Sequence, residues 1–251
     1  LWGTILKPVK VGICGLGTVG SGSFNILRNN AEEITRRVGR SIEIEQVGAR
    51  RDNPAADTSG VNMTRDIFDV ANNPEIDIVI ELIGGTTIAK DLVLTAIENG
   101  KHVVTANKAL IAEYGNEIFE KAQAKGVMVA FEAAVAGGMP IIKTVREGLS
   151  ANRIDWLAGI INGTGNFIMT EMSEKGRAFD DVLAEAQALG YAEADPTFDV
   201  EGIDAAHKLT ILASIAFGIP LQFERVYTEG ISQISAQDVS FASELGYYIK
   251  H

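Results

Sequence analysis

Short apolar runs alternate with longer amphipathic stretches through the first half of the chain. Residues 9–14 are largely β-branched and run into Gly15; residues 18–38 read as one helix with Val19, Phe24, Ile26, Leu27, Ile34 and Val38 as its apolar positions. Segments 42–49 and 76–83 read as the second and third strands, the latter rich in Ile, Val and Leu. A helix over 90–99 stops at Gly100, a strand follows at 102–105, a helix over 107–125 is closed by Gly126, and 127–131 makes a fifth strand. Buried-type strands alternating with helices predict an α/β fold: a doubly wound, parallel, Rossmann-type sheet covered on both faces.

The pattern changes after Val135. Residues 138–149 read helical, 153–161 alternate like a strand with one solvated face, and 179–189, 203–217 and 236–248 read as helices. This predicts a second, α+β unit, so the expected domains are 1–135 and 136–251. No Pro/Gly/Ser linker, internal repeat or low-complexity segment separates them.

The run Gly15-Leu16-Gly17-Thr18-Val19-Gly20 fits G-x-G-x-x-G and sits between the first strand and the first helix. That context makes it a dinucleotide fingerprint: Gly15 for the tight turn, Gly17 for close approach of a pyrophosphate, Gly20 for helix–strand packing. The helix N-terminus adds unpaired N–H groups and a partial positive charge. The second strand ends in Arg50-Arg51-Asp52. Two arginines suit a ribose 2′-phosphate and favour NADP, while Asp52 keeps an NAD ribose hydroxyl open.

Composition bounds the class. A length of 251 residues allows one to two domains, and 46% hydrophobic with 22% charged residues excludes a disordered chain. The charge of −11 argues against nucleic acid and anionic membrane as partners. A single cysteine, Cys14, forms no intramolecular disulfide and fits a reducing compartment. No run approaches the ~20 apolar residues of a membrane span, and the first residues lack signal-peptide features, so a cytoplasmic location is expected. His102 and His207 have no Cys or His at ligand spacing, which argues against zinc.

Five carboxylates, Glu193, Asp195, Asp199, Glu201 and Asp204, crowd the stretch between Gly190 and Lys208. On a helix Asp204 and Lys208 share one face. Beside apolar Leu212 and Ile215 that lysine can serve acid–base chemistry; on an open surface it forms an ordinary ion pair. Both readings stand on spacing alone.

The residues Gly190-Tyr191-Ala192, Asp195-Pro196, Asp199-Val200, Gly202, Asp204 and Lys208 match the homoserine dehydrogenase signature, which the chain resembles from Pro8 onward. Further likeness lies in the N-terminal fingerprint, in Thr105-Ala106-Asn107-Lys108, in the run 132–140 and in Gly159-Ile160-Ile161-Asn162-Gly163-Thr164-Gly165-Asn166. The resemblance implies an NAD(P)-dependent oxidoreductase interconverting L-homoserine and L-aspartate 4-semialdehyde, in threonine, methionine and isoleucine biosynthesis. It implies Lys208 as acid–base group oriented by Asp204, Lys108 between nicotinamide and substrate, and Glu193 and Asp199 on the amino-acid substrate. Cofactor contacts at Lys108 and Gly190 are expected as well, and the Gly84-Gly85-Thr86-Thr87 turn, on the carboxyl edge after the third strand, reads either as a contact of Gly85 with the nicotinamide ribose or as a plain turn. The resemblance also implies a monovalent cation, sodium, near Glu132, Val135, Gly137 and Met139, held largely by backbone carbonyls.

Which of the two lysines moves the proton is left open, and the family likeness further implies a homodimer or larger homo-oligomer. Members of the family continue past this C-terminus, so the second domain is expected to be truncated. Aspartate-semialdehyde dehydrogenase handles the same aldehyde but needs a cysteine nucleophile, and Cys14 is misplaced for that role. A non-catalytic NADP-binding sensor is the remaining alternative.

Overall fold

The computed structural model describes residues 7–251. Residues 1–6, and with them most of the stretch read as lacking a leader, lie outside the described residues. The chain divides into two compact units, one ending at Ile142 and one spanning Lys143–His251.

In the first unit, strands β1 (Val9–Cys14), β2 (Ile42–Gly48), β3 (Asn62–Thr64), β4 (Ile78–Glu81), β5 (His102–Thr105) and β6 (Val129–Ala130) form one sheet in the order β3-β2-β1-β4-β5-β6. Every pairing is parallel. Strand order reverses between β1 and β4, which opens a crevice at the carboxyl edge, where open α/β sheets bind ligands. The sheet's buried residues explain its continuous apolar runs: Ile13, Val47 and Val79 are fully buried, and Ile13, Val47 and Phe24 belong to one cluster.

Helices α1 (Thr18–Asn29), α2 (Ala31–Val38), α3 (Ile67–Asn72), α4 (Thr87–Glu98) and α5 (Lys108–Lys125) connect the strands. The single helix expected over 18–38 is two helices, broken at Asn30, whose ψ of 18° leaves the helical well. Asn29 and Asn30 can hydrogen-bond neighbouring backbone through their own side chains, which weakens helix continuity. The pattern predicts neither β3 nor α3, which are too short to display a period. The Asp66 carboxylate nonetheless caps α3 by accepting from Phe68 N–H at 2.9 Å. α5 runs as the spacing predicts, with Asn107 capping its start and Gly126 closing it in the left-handed region.

The helix expected over 138–149 is a short α6 (Ile141–Lys143) followed by a π turn at Thr144–Gly148. The second unit then holds α7 (Gly163–Lys175), α8 (Phe179–Ala188), α9 (Thr197–Val200), α10 (Ile203–Phe217) and α11 (Ala236–Glu244). Its core joins Ile168, Met169 and Met172 of α7 with Val182, Val200 and Val239. α7 escapes the sequence pattern because Gly163 and Gly165 open it, and glycine lowers helix propensity.

The alternating segment 153–161 has no ladder partner among the described residues, and its Trp156 and Ile160 are exposed. Alternation marks two faces; only a neighbouring strand makes it a sheet. No helix among the described residues is long and apolar enough to cross a membrane.

Cys14 ends β1 fully buried, with its Sγ 3.7 Å from the Ile67 carbonyl. Burial, reinforced by the nearby Glu81 carboxylate, pushes its thiol up to about 12, so it stays protonated at pH 8. Iodoacetamide at pH 8 is therefore expected to leave the native protein unlabelled and to modify Cys14 fully in urea. Native labelling at the rate of a free thiol would contradict this burial.

Candidate active site

The fingerprint glycines lie at the sheet edge where the crossover requires them. A Cβ on Gly20 would fall 2.1 Å from the Gly15 carbonyl oxygen, so helix and strand approach closely there only without a side chain. A Cβ on Gly17 would meet no protein atom within 4 Å. Gly17 is also the N-cap of α1 and offers no side-chain cap, which leaves the first-turn N–H groups to an external acceptor. These features fit a dinucleotide pyrophosphate. The adjoining cleft, about 860 Å³, is bordered by Gly15 and Gly17 on one side and by Arg50, Arg51 and Gly84 on others.

Beyond β2 the structure adds residues without a motif. The Asn53 side-chain amide donates to the Leu16 carbonyl at 2.8 Å, tying the arginine loop to the glycine turn. Arg65, from the loop after β3, donates to the Ala49 carbonyl at 3.1 Å and pairs with Asp52 at 2.9 Å. Asp52 is thus engaged by a third arginine of the cleft. The pairing was invisible in sequence because β3 itself was.

The remaining positions of the first unit flank this edge. Gly85, in the turn after β4, accepts from the Asn107 side-chain amide at 2.6 Å, and the adjacent Lys108 begins α5 half-buried. Glu132 lies in a 3-10 turn, its carboxylate accepting from Ile142 N–H at 3.0 Å. Val135 is buried, Met139 is exposed, and Ala136 between them holds a φ of +51°. Among the described residues no other non-glycine has a positive φ, and such strain persists where the surroundings enforce it. The Met139 carbonyl accepts from Ile141 N–H at 2.8 Å. Among the described residues no group of three or more His, Cys, Asp or Glu could hold a metal.

In the second unit the Asp204–Lys208 pair is buried rather than solvated. The two side chains are 7% and 17% exposed, and Lys208 Nζ lies 2.6 Å from Asp204 Oδ2. The same ammonium donates to the Ile161 carbonyl at 2.7 Å, so two of its three N–H directions are fixed. Asn162 organises the cluster. Its side-chain Nδ2 donates to Asp204 at 2.9 Å and to Asp199 at 2.8 Å, while its Oδ1 accepts from Gly165 N–H and caps α7. In the sequence Asn162 stands out only within the run that resembles the family; its roles as cap and hub depend on the packing of α7, α9 and α10.

Asp199, Asp204 and Lys208 are therefore brought together. Glu193 is exposed, and none of its described contacts joins its carboxylate to that cluster; its backbone carbonyl accepts from Gln187 at 3.0 Å. Gly190 turns the chain after α8 with a φ of +76°. His207 lies off the Asp204–Lys208 face, its ring stacked 4.3 Å from that of Phe223. His251, which carried no motif, exchanges backbone hydrogen bonds with the Asn166 side chain, and its ring packs against Gly165 and Gly202. Burial holds its imidazole below the usual histidine range, against the opposing pull of Asp199, Asp204 and Glu201.

Comparison with known proteins gives a consistent picture. The family model "Homoserine dehydrogenase, NAD binding domain" matches residues 15–132, and the model "Homoserine dehydrogenase" matches residues 140–251. The chain is 76% identical over 246 residues to a homoserine dehydrogenase of Pseudomonas aeruginosa, covering 98% of this chain and 57% of that protein. A homoserine dehydrogenase crystal structure from Thiobacillus denitrificans superposes with a TM-score of 0.93 at 68% identity, over 97% of this chain and 57% of that one. A structure from Archaeoglobus fulgidus, assigned provisionally to homoserine dehydrogenase, gives a TM-score of 0.84 at 34% identity, over 96% of this chain and 78% of that one. The chain thus spans just over half the length of the curated relatives it matches.

The Asn162 hub makes a stability prediction. Asn162→Ala removes a helix cap and takes a donor from Asp199 Oδ1, while Asp204 Oδ2 keeps the Lys208 ammonium, at a cost of about 2 kcal/mol. Asn162→Asp keeps the cap but places a third carboxylate beside Asp199 and Asp204, and is expected to destabilise at least as much. Urea unfolding of both variants checks this; an Asp variant as stable as wild type would remove the hub role.

Proposed function

The chain belongs to the homoserine dehydrogenase family, and from that premise we propose that the complete protein interconverts L-homoserine and L-aspartate 4-semialdehyde with a nicotinamide cofactor, NADP by preference. The observation that carries the chemistry is the buried Lys208 ammonium, held by Asp204 and the Ile161 carbonyl with one N–H direction left for a substrate oxygen. When bound, the nicotinamide exchanges the hydride with the substrate carbon.

Lys208 handles the proton at the same oxygen. Toward homoserine, its ammonium donates to the oxygen as negative charge develops there; toward the aldehyde, the neutral amine accepts the hydroxyl proton. Asp204 fixes the direction of Nζ and balances its charge, and Asn162 holds Asp204 in place. Asp199 and Glu193 are the proposed partners of the substrate's own ammonium group. The acidic stretch around them supplies the field such a cation needs.

The glycine turn at Gly15, Leu16, Gly17, Thr18, Val19 and Gly20 is assigned to the pyrophosphate. Arg50 and Arg51 take the 2′-phosphate, and Gly85, Lys108 and Gly190 are the further cofactor contacts. The preference for NADP is supported by Arg50 and Arg51 on the border of the cleft, where Arg65 adds a third guanidinium. Glu132 and the carbonyls of Val135, Gly137 and Met139 would hold a sodium ion as a structural brace of their bend. The proposal includes a homo-oligomer, at least a dimer, in the cytoplasm, on the path to threonine, methionine and isoleucine.

With the complete chain, homoserine-dependent NADPH formation is the assay. Lys208→Ala is expected to lower turnover ~10²-fold or more, the usual worth of a positioned acid–base group. A variant with most of its activity would end that assignment. Arg50→Ala is expected to raise the Kd for NADPH ~10-fold, on the worth of a charge-assisted hydrogen bond, and to leave NADH nearly unchanged. Equal losses for both cofactors would refute the 2′-phosphate reading.

A further inference from the structure

Glu81 ends β4 with no solvent exposure, at the carboxyl edge of the sheet, and no motif singles it out. It pairs in register with Cys14 of β1 and Thr105 of β5, so it sits where strand order reverses. A buried carboxylate is costly unless its oxygens are hydrogen-bonded. Both of its oxygens are: Oε1 accepts from Ile83 N–H at 2.9 Å, and Oε2 accepts from the Thr105 hydroxyl at 2.5 Å.

The direction of the second bond follows from its neighbour. Asn107 N–H, which can only donate, points to Thr105 Oγ1 at 3.0 Å, so the hydroxyl accepts there and its own proton faces Glu81. The chain of contacts continues outward. The Asn107 side chain donates to the Gly85 carbonyl at 2.6 Å, and its Oδ1 accepts from Leu110 N–H, capping α5 where Lys108 begins. Gly84 and Gly85, both at positive φ, make the turn thus gripped at its two ends, at Ile83 and at Gly85. One carboxylate therefore ties together the loop after β4 and the loop after β5.

We propose that Glu81 is a positioning residue for the nicotinamide end of the cofactor pocket, acting through Ile83, Thr105 and Asn107 to fix the Gly85 turn and the first residue of α5. The inference rests on the assignment of Gly85 and Lys108 to the cofactor made above. Both donors on Glu81 are neutral, so Glu81→Gln removes a buried charge and keeps an oxygen acceptor for one of them. A purely structural role would therefore show in the melt, and a positioning role would show at the reacting end of the cofactor. The pyrophosphate and 2′-phosphate contacts lie elsewhere in the cleft, so overall affinity is expected to survive.

The test uses the complete chain and NADPH as probe. Glu81→Gln should melt near wild type and bind NADPH within about threefold of its Kd; Thr105→Val, which leaves a buried carboxylate oxygen and the Asn107 N–H without their partners, should melt lower and is assayed well below its transition. The fluorescence of bound NADPH should shift toward that of the free cofactor, and kcat with homoserine should fall on the order of 10-fold or more, the scale of a small misplacement of reacting groups. Thr105→Ser, which keeps the hydroxyl link, should restore both emission and kcat. Wild-type emission and turnover in Glu81→Gln and Thr105→Val would overturn the proposal. So would loss of activity in step with loss of the fold in both variants. A wild-type chain that binds NADPH without oxidising homoserine would count against the enzymatic reading alone, because the emission measurement still decides the role of Glu81. A wild-type chain that binds no NADPH would overturn the cofactor assignment and this inference with it.

Discussion

A parallel sheet has one edge at which every strand delivers its carboxyl end, and the first unit is organised by that constraint. The glycine turn follows β1, the arginine loop follows β2, the Arg65 loop follows β3, the Gly84–Gly85 turn follows β4 and Lys108 follows β5. None of these segments is near the others in sequence. Parallel pairing collects them at one edge, while the helices that make the crossovers cover the two faces. Strand reversal between β1 and β4 then leaves the crevice bordered by the glycine turn, the arginine loop, Arg65 and Gly84.

The second unit solves a different problem, how to keep charge inside a helical body. Asp204 and Lys208 neutralise each other, and neither would be tolerated alone at that depth. The amide of Asn162 bridges Asp204 to Asp199, so two carboxylates are held close without sharing a proton donor of positive charge. Fixed acceptors on two sides of the Lys208 ammonium give it a direction, which is what a proton-transfer group needs. The arrangement is preorganised by contacts within its own unit.

Legibility in the sequence followed the range of the interaction. The strand–glycine–helix junction at Cys14–Gly20, the α5 boundaries at Asn107 and Gly126, and the α10 helix with its Asp204–Lys208 spacing are all local, and all were readable. The single long helix over 18–38 was misread because an amphipathic period carries across a break that only backbone geometry reveals. The segment 153–161 was read as a strand from alternation alone, which specifies faces and names no partner. Short elements such as β3 and α3 left no period to detect, and Arg65 went with them.

By itself, the sequence determined the nucleotide-binding architecture, the glycine turn, the arginine pair and the acidic stretch that ends at Lys208, because each depends on neighbours within a turn or a strand. Tertiary structure decided whether those charges are solvated or buried. It placed Asn162 between two aspartates, engaged Asp52 with Arg65 and set Glu81 beneath two loops. The Asn162 and Glu81 outcomes come from residues far apart along the chain meeting where water is excluded. In that setting hydrogen-bond satisfaction, rather than propensity or spacing, fixes the role of a side chain.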